Sequence, residues 1–95
     1  MNQYEALYII VPTQDEETMK ASVEKFKGIV ATNGGEVTAV DEWGKKRLAY
    51  PINYNTEGYY VLMSFTCAPE VPKELERNFK NDEAILRYLV TRKGE

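Results

Sequence analysis

The chain contains no histidine and one cysteine, Cys67, in 95 residues. Without histidine the commonest general base is missing, and with it the Ser-His-Asp type of triad and most zinc sites. A lone cysteine cannot close an internal disulfide, which fits a reducing compartment. Its place at the end of an apolar stretch suits a small core residue better than a nucleophile. No apolar run approaches the roughly 20 residues needed to cross a bilayer, so no membrane partner is expected. Met1-Asn2-Gln3-Tyr4-Glu5 has no basic segment leading into an apolar one, and export is not expected. Glycine is too sparse for a phosphate loop, since no Gly-Lys-Ser/Thr follows Asn33-Gly34-Gly35. The acidic clusters Asp15-Glu16-Glu17 and Asp82-Glu83 fall where a helix start and a turn are expected, and helix-dipole and solubility roles explain them better than acid/base chemistry. No catalytic residue, metal, cofactor or small-molecule substrate is expected, and the chain does not read as an enzyme.

What is present is a soluble composition, 43% hydrophobic and 28% charged, sized for one domain over residues 1–95. The net charge of −3 is unevenly spread. Residues 13–42 hold three lysines against seven acids, residues 43–66 three bases against Glu57, and residues 84–93 three bases and no acid. The first helical region is therefore acidic, and the middle and last segments are basic. Such a chain suits phosphate on one side and a basic protein on the other.

The organising stretch is residues 41–65, which reads as two long strands of a hairpin. Lys45, Lys46 and Arg47 lie on its first arm, and Tyr50, Tyr54, Tyr59 and Tyr60 crowd its turn end. Basic and aromatic residues interleaved on a sheet suit a nucleic-acid or partner surface. They equally suit a charged edge strand over a tyrosine-rich core.

The other elements follow in order. Residues 4–11 form a β-rich apolar run ending at Pro12. Thr13 and Glu16 make a capping-box pattern. Met19, Val23, Phe26 and Val30 then recur at helical spacing, and Asn33-Gly34-Gly35 stops the helix. A strand is expected over residues 36–50, bulged at Gly44, with a turn over 51–58 and a strand over 59–67. Pro69 and Pro72 open a short helix whose apolar stripe is Val71, Leu75 and Phe79, broken at Asn81-Asp82. Residues 85–92 form the last strand and 93–95 a short tail.

The order β-α-β-β-α-β gives an α+β, ferredoxin-like sandwich: a four-stranded antiparallel sheet with both helices on one face. The open face is left for binding, without fixing what binds. An RNA-recognition motif shares the topology, and Leu7-Tyr8-Ile9 and Gly58-Tyr59 faintly echo it. Yet Val61 stands where a second stacking aromatic is needed, and Tyr60 replaces a small residue. An acyl-phosphate hydrolase on this fold needs an arginine-bearing loop after the first strand, and Val11-Pro12-Thr13 supplies none. A small-molecule sensor leaves no clear mark and stays open as an alternative.

Tyr4-Glu5, then Glu42-Trp43-Gly44-Lys45-Lys46-Arg47-Leu48-Ala49-Tyr50-Pro51-Ile52, Glu57-Gly58-Tyr59-Tyr60 and Leu86-Arg87 carry a resemblance over essentially the whole chain. The sequence resembles the family of the sixth protein of the bacterial small ribosomal subunit. The resemblance implies a structural, cytoplasmic, ribosome-associated RNA-binding protein. It also implies two partners: the central domain of small-subunit ribosomal RNA and the basic eighteenth small-subunit protein, bound cooperatively. A cationic partner then supplies much of the phosphate neutralisation that an acidic chain lacks.

Alternation on the last strand puts Arg87 and Arg92 on opposite faces, with Arg87 and Leu89 on the open one. Arg87, Arg92 and Lys93 are expected at RNA phosphate, although Arg87 has Glu5 as an alternative partner. Lys46 and Arg47 are expected at RNA from the hairpin, and Tyr4 as a stacking residue at the sheet edge. Leu7, Ile9, Trp43 and Tyr50 are expected at the partner-protein interface. Leu7 and Ile9 face the open side if Tyr8 and Ile10 face the helices, whereas an RNA-recognition motif needs the reverse.

Overall fold

A computed structural model of the protein describes residues 2–12, 15–52 and 54–93. The elements are β1 (Asn2–Ile10), α1 (Glu16–Thr32), β2 (Glu36–Ile52), β3 (Asn55–Cys67), α2 (Val71–Lys80) and β4 (Ile85–Lys93). They form the expected β-α-β-β-α-β sandwich. The sheet is antiparallel in the order β2-β3-β1-β4, so the two most apolar strands are central and the strands that carry the Lys45–Arg47 and Arg87–Lys93 cations are its edges.

One strand parity builds the core. Tyr4, Ala6, Tyr8 and Ile10 of β1 register with Phe65, Met63, Val61 and Tyr59 of β3. This face packs on Val23, Phe26 and Val30 of α1 and on Val71, Leu75 and Phe79 of α2. Tyr8, Phe26 and Phe79 form an aromatic triangle with centroid separations of 4.4–5.2 Å. Each such pair adds about 0.5–1.5 kcal/mol beyond its area burial. Tyr8 is thus consumed by the helices, and the open face cannot stack bases as an RNA-recognition motif does.

Several boundaries differ from expectation. Thr13 lies outside the described residues; the described cap of α1 is Asp15, whose carboxylate accepts from the Thr18 N–H at 2.7 Å. That bond holds the Asp15 carboxyl below its usual range. At the other end, the Gly34 and Gly35 N–H groups return to the carbonyls of Ala31 and Val30 in a Schellman arrangement. The hairpin turn is far shorter than residues 51–58: β2 runs to Ile52, which pairs with Asn55. Pro51 signalled a break, but β2 is an edge strand, where a missing N–H interrupts no ladder. Gly58, placed in the turn on the same reasoning, lies inside β3. Lys93 belongs to β4 rather than to a tail.

Three irregularities shape β2, the first a register shift between Val37 and Ala39. Gly44 sits at φ +84° where the register shifts, the expected bulge. Further along, Arg47 pairs with Glu57 and Ile52 with Asn55, so four residues of β2 stand opposite Thr56 alone. The surplus lets this arm bow over the sheet.

Candidate functional site

The helix-free face is built by the opposite parity. Registered pairs set Leu62, Leu7 and Leu89 side by side across β3, β1 and β4. Leu89, on the edge strand, is 60% exposed. The next row holds Tyr60, Ile9 and Arg87. An apolar row thus crosses the open face, and the row beside it carries a cation–aromatic pair at each end.

On the β2 side, Trp43 stacks on Tyr60 with centroids 6.2 Å apart and planes 10° off parallel. The Lys46 ammonium lies 5.9 Å from the Trp43 ring centroid, and the Trp43 indole N–H donates to Asp41 at 3.1 Å. On the β4 side, the Arg87 guanidinium lies 5.3 Å from the Tyr50 ring centroid and donates to the Tyr50 hydroxyl. Tyr50 belongs to β2, at the opposite edge of the sheet. The bowed arm therefore spans the face, with Leu48 buried beneath it and Gly58 against Ile9.

The ten residues expected at the interfaces separate clearly. Leu7, Trp43, Tyr50, Lys46 and Arg87 come together on the open face. Ile9 has the expected parity but is only 7% exposed, because Gly58 and Leu48 of the chain's own hairpin cover it; it is no docking residue. Tyr4 needs correcting too. Its register with Phe65 places it on the helix side, where it is 8% exposed and stacked on Phe65 at 5.8 Å, so its ring is not available to a base. Arg47 is exposed on the side opposite Lys46, facing its registered partner Glu57. Arg92 registers with Tyr4 and donates to Asn2 at 3.2 Å, away from Arg87. Lys93 returns to the open face and pairs with Glu5 at 3.7 Å. Glu5 is thus taken by Lys93, and among the described residues no carboxylate pairs with Arg87.

Leu62, Tyr60 and Leu48 were missed from the sequence. Alternation through β3 predicts Leu62 and Tyr60 once Val61 and Met63 are assigned to the core. Leu48 had no such signal, because its burial depends on the bowing of β2. Behind the sheet, Tyr59 faces the start of α1 and donates to Glu42 at 2.6 Å, which raises its phenol to about 12.

A sequence profile of the ribosomal protein S6 family matches residues 3–92. The chain belongs to the ribosomal protein S6 family. Small ribosomal subunit protein bS6 from Clostridium novyi is 51% identical over 90 residues, covering 95% of each chain. The bS6 protein of Thermoanaerobacter pseudethanolicus is 48% identical over 95 residues, the full length of both. The crystal structure of 30S ribosomal protein S6 from Thermotoga maritima matches with a TM-score of 0.92 at 30% identity, covering 97% of this chain and 87% of that one. Membership of the S6 family makes the chain a structural, non-enzymatic component of the small ribosomal subunit, working on the ribosome in the bacterial cytoplasm.

Proposed function

We propose that the chain holds the central domain of small-subunit ribosomal RNA jointly with the eighteenth small-subunit protein, using the open face for the protein and the basic margins for phosphate. The observation that carries this reading is the apolar row of half-buried Leu62 and Leu7 and exposed Leu89, bordered by Trp43–Lys46 and Tyr50–Arg87. An apolar strip rimmed by aromatics and arginine is the composition of a protein interface, and exposed apolar rows of this kind mark one. Lys46, Arg47, Arg92 and Lys93 lie around it rather than in it. Arg87 stands at the seam, where one guanidinium serves both the packing of Tyr50 and a phosphate. With a net charge of −3, the chain alone gains little from counterion release. A basic partner seated on the apolar row completes the cationic surface.

Leu89 offers the cleanest test, because its exposure lets it change without disturbing the core. Leu89→Asp is expected to weaken binding of the eighteenth small-subunit protein by roughly tenfold or more, the equivalent of losing one buried leucine. Tight RNA binding by the mixture should fall with it. Calorimetric titration of the two proteins reads the first effect. An unchanged protein–protein affinity would move the partner off this face.

A further inference from the structure

The far end of the hairpin carries a residue that neither the core nor the open face uses. Ile52 pairs with Asn55, and Tyr54 stands at the hairpin link between them with its side chain fully exposed. Its φ is +68°, the one non-glycine residue in the left-handed region among those described. That conformation suits glycine and sometimes asparagine, and it is a genuine outlier for a bulky aromatic. A two-residue hairpin link favours glycine here, since Asn-Gly is the preferred pair. Tyrosine at this position disfavours the turn and packs on nothing in return, and strain of this kind collects at sites of function.

The surroundings favour one kind of ligand. From Trp43 to Thr56 the hairpin carries Lys45, Lys46 and Arg47 and no acidic residue. An exposed ring at the end of a cationic arm supplies the two elements of unpaired-strand recognition, a charge track for the backbone and a flat face for a base. The turn projects an aromatic ring at a point where the chain has no use for it. We infer that Tyr54 stacks on an unpaired nucleobase of ribosomal RNA, as a contact separate from the open face. This rests on the reading that the chain binds small-subunit RNA. It adds a ligand class, a nucleobase face, and a residue to that reading.

The test titrates a central-domain ribosomal RNA fragment with the full chain and the eighteenth small-subunit protein, comparing wild type with Tyr54→Gly, Tyr54→Phe and Tyr54→Trp. Loss of one stacked base should weaken Tyr54→Gly by about five- to a hundredfold. Tyr54→Phe and Tyr54→Trp should stay within about threefold of wild type, because stacking needs the ring and not the hydroxyl. The salt dependence of Tyr54→Gly should match wild type, since no phosphate contact is removed. Its thermal midpoint should be equal or higher, because glycine suits the turn, and this separates lost contact from lost fold. Equal RNA affinity of Tyr54→Gly and wild type would overturn the stacking inference while leaving RNA binding intact. So would a loss in Tyr54→Phe as large as in Tyr54→Gly, or a loss confined to the protein–protein affinity. Failure of the wild-type mixture to bind the RNA would overturn the reading beneath it.

Discussion

A methyl group added at Gly58 would run into Ile9 Cγ2, with Leu48 Cδ2 3.5 Å away. The close approach of β3 to Ile9 lets the distal hairpin lie against the sheet, and only a residue without Cβ permits it. Gly58→Ala is therefore expected to destabilise the fold by about 1–3 kcal/mol through overpacking, read from the urea midpoint at constant slope. A change within a few tenths of a kcal/mol would mean that the hairpin does not press on Ile9. Side-chain parity at this scale was legible from alternation alone: Tyr8 and Ile10 inward, Leu7 and Arg87 outward. Tyr4 was not. An aromatic near the start of an edge-facing segment looks available to a base, yet the strand pairing that sets it on Phe65 is a contact between residues 61 positions apart. Ile9 failed for a related reason, because what covers it comes from another part of the chain.

At the scale of elements, the helices were the most legible. Their apolar periods, the stop at Asn33 and the Pro72 start all follow from local chemistry. The hairpin was harder to place, because Pro51 and Gly58 are turn formers by composition but sit here in strands, on an edge and at a close contact. The same hairpin is tied to α1's side of the sheet by the Tyr59–Glu42 bond. That bond, then partial burial, raises the Tyr59 phenol to about 12. Below about pH 10, the ordinary tyrosine value, the phenol is protonated in both folded and unfolded chains, and its contribution to stability is whole. The contribution is lost as pH rises through about 12, because the unfolded chain ionises first. Tyr59→Phe should accordingly be slightly less stable than wild type at pH 8 and lose less stability between pH 8 and 11. Urea midpoints at the two pH values check this, and parallel losses in both proteins would separate Tyr59 from the alkaline limb.

For the whole molecule, the partition of charge matters more than its sum. Behind the sheet α1 balances Glu16, Glu17 and Glu24 with Lys20, Lys25 and Lys27. Lys45, Lys46 and Arg47 on β2 and Arg87, Arg92 and Lys93 on β4 put a cationic cluster on each edge strand, so a chain of net −3 still presents cations beside an apolar strip. The sequence carried the two basic runs, but its acidic segment, residues 13–42, runs from α1 into β2, whose Glu36, Asp41 and Glu42 offset the three bases further along the strand. Alternation alone put Arg87 and Arg92 on opposite faces; which of Lys46 and Arg47 shares the face of Arg87 was not legible, because bulges at Gly44 and beyond Arg47 reset the alternation along β2. The proposed joint binding rests on that arrangement: in it the partner occupies the strip, and the margins then meet phosphate beside the partner's own charge. The most direct measurement titrates a central-domain ribosomal RNA fragment with this chain, alone and with the eighteenth small-subunit protein, at 50 and 200 mM salt. Joint binding predicts weak association by the chain alone and tight association by the pair, with the pair's affinity falling by roughly tenfold or more at the higher salt. Equal affinity with and without the partner, or binding by the pair that ignores salt, would contradict it.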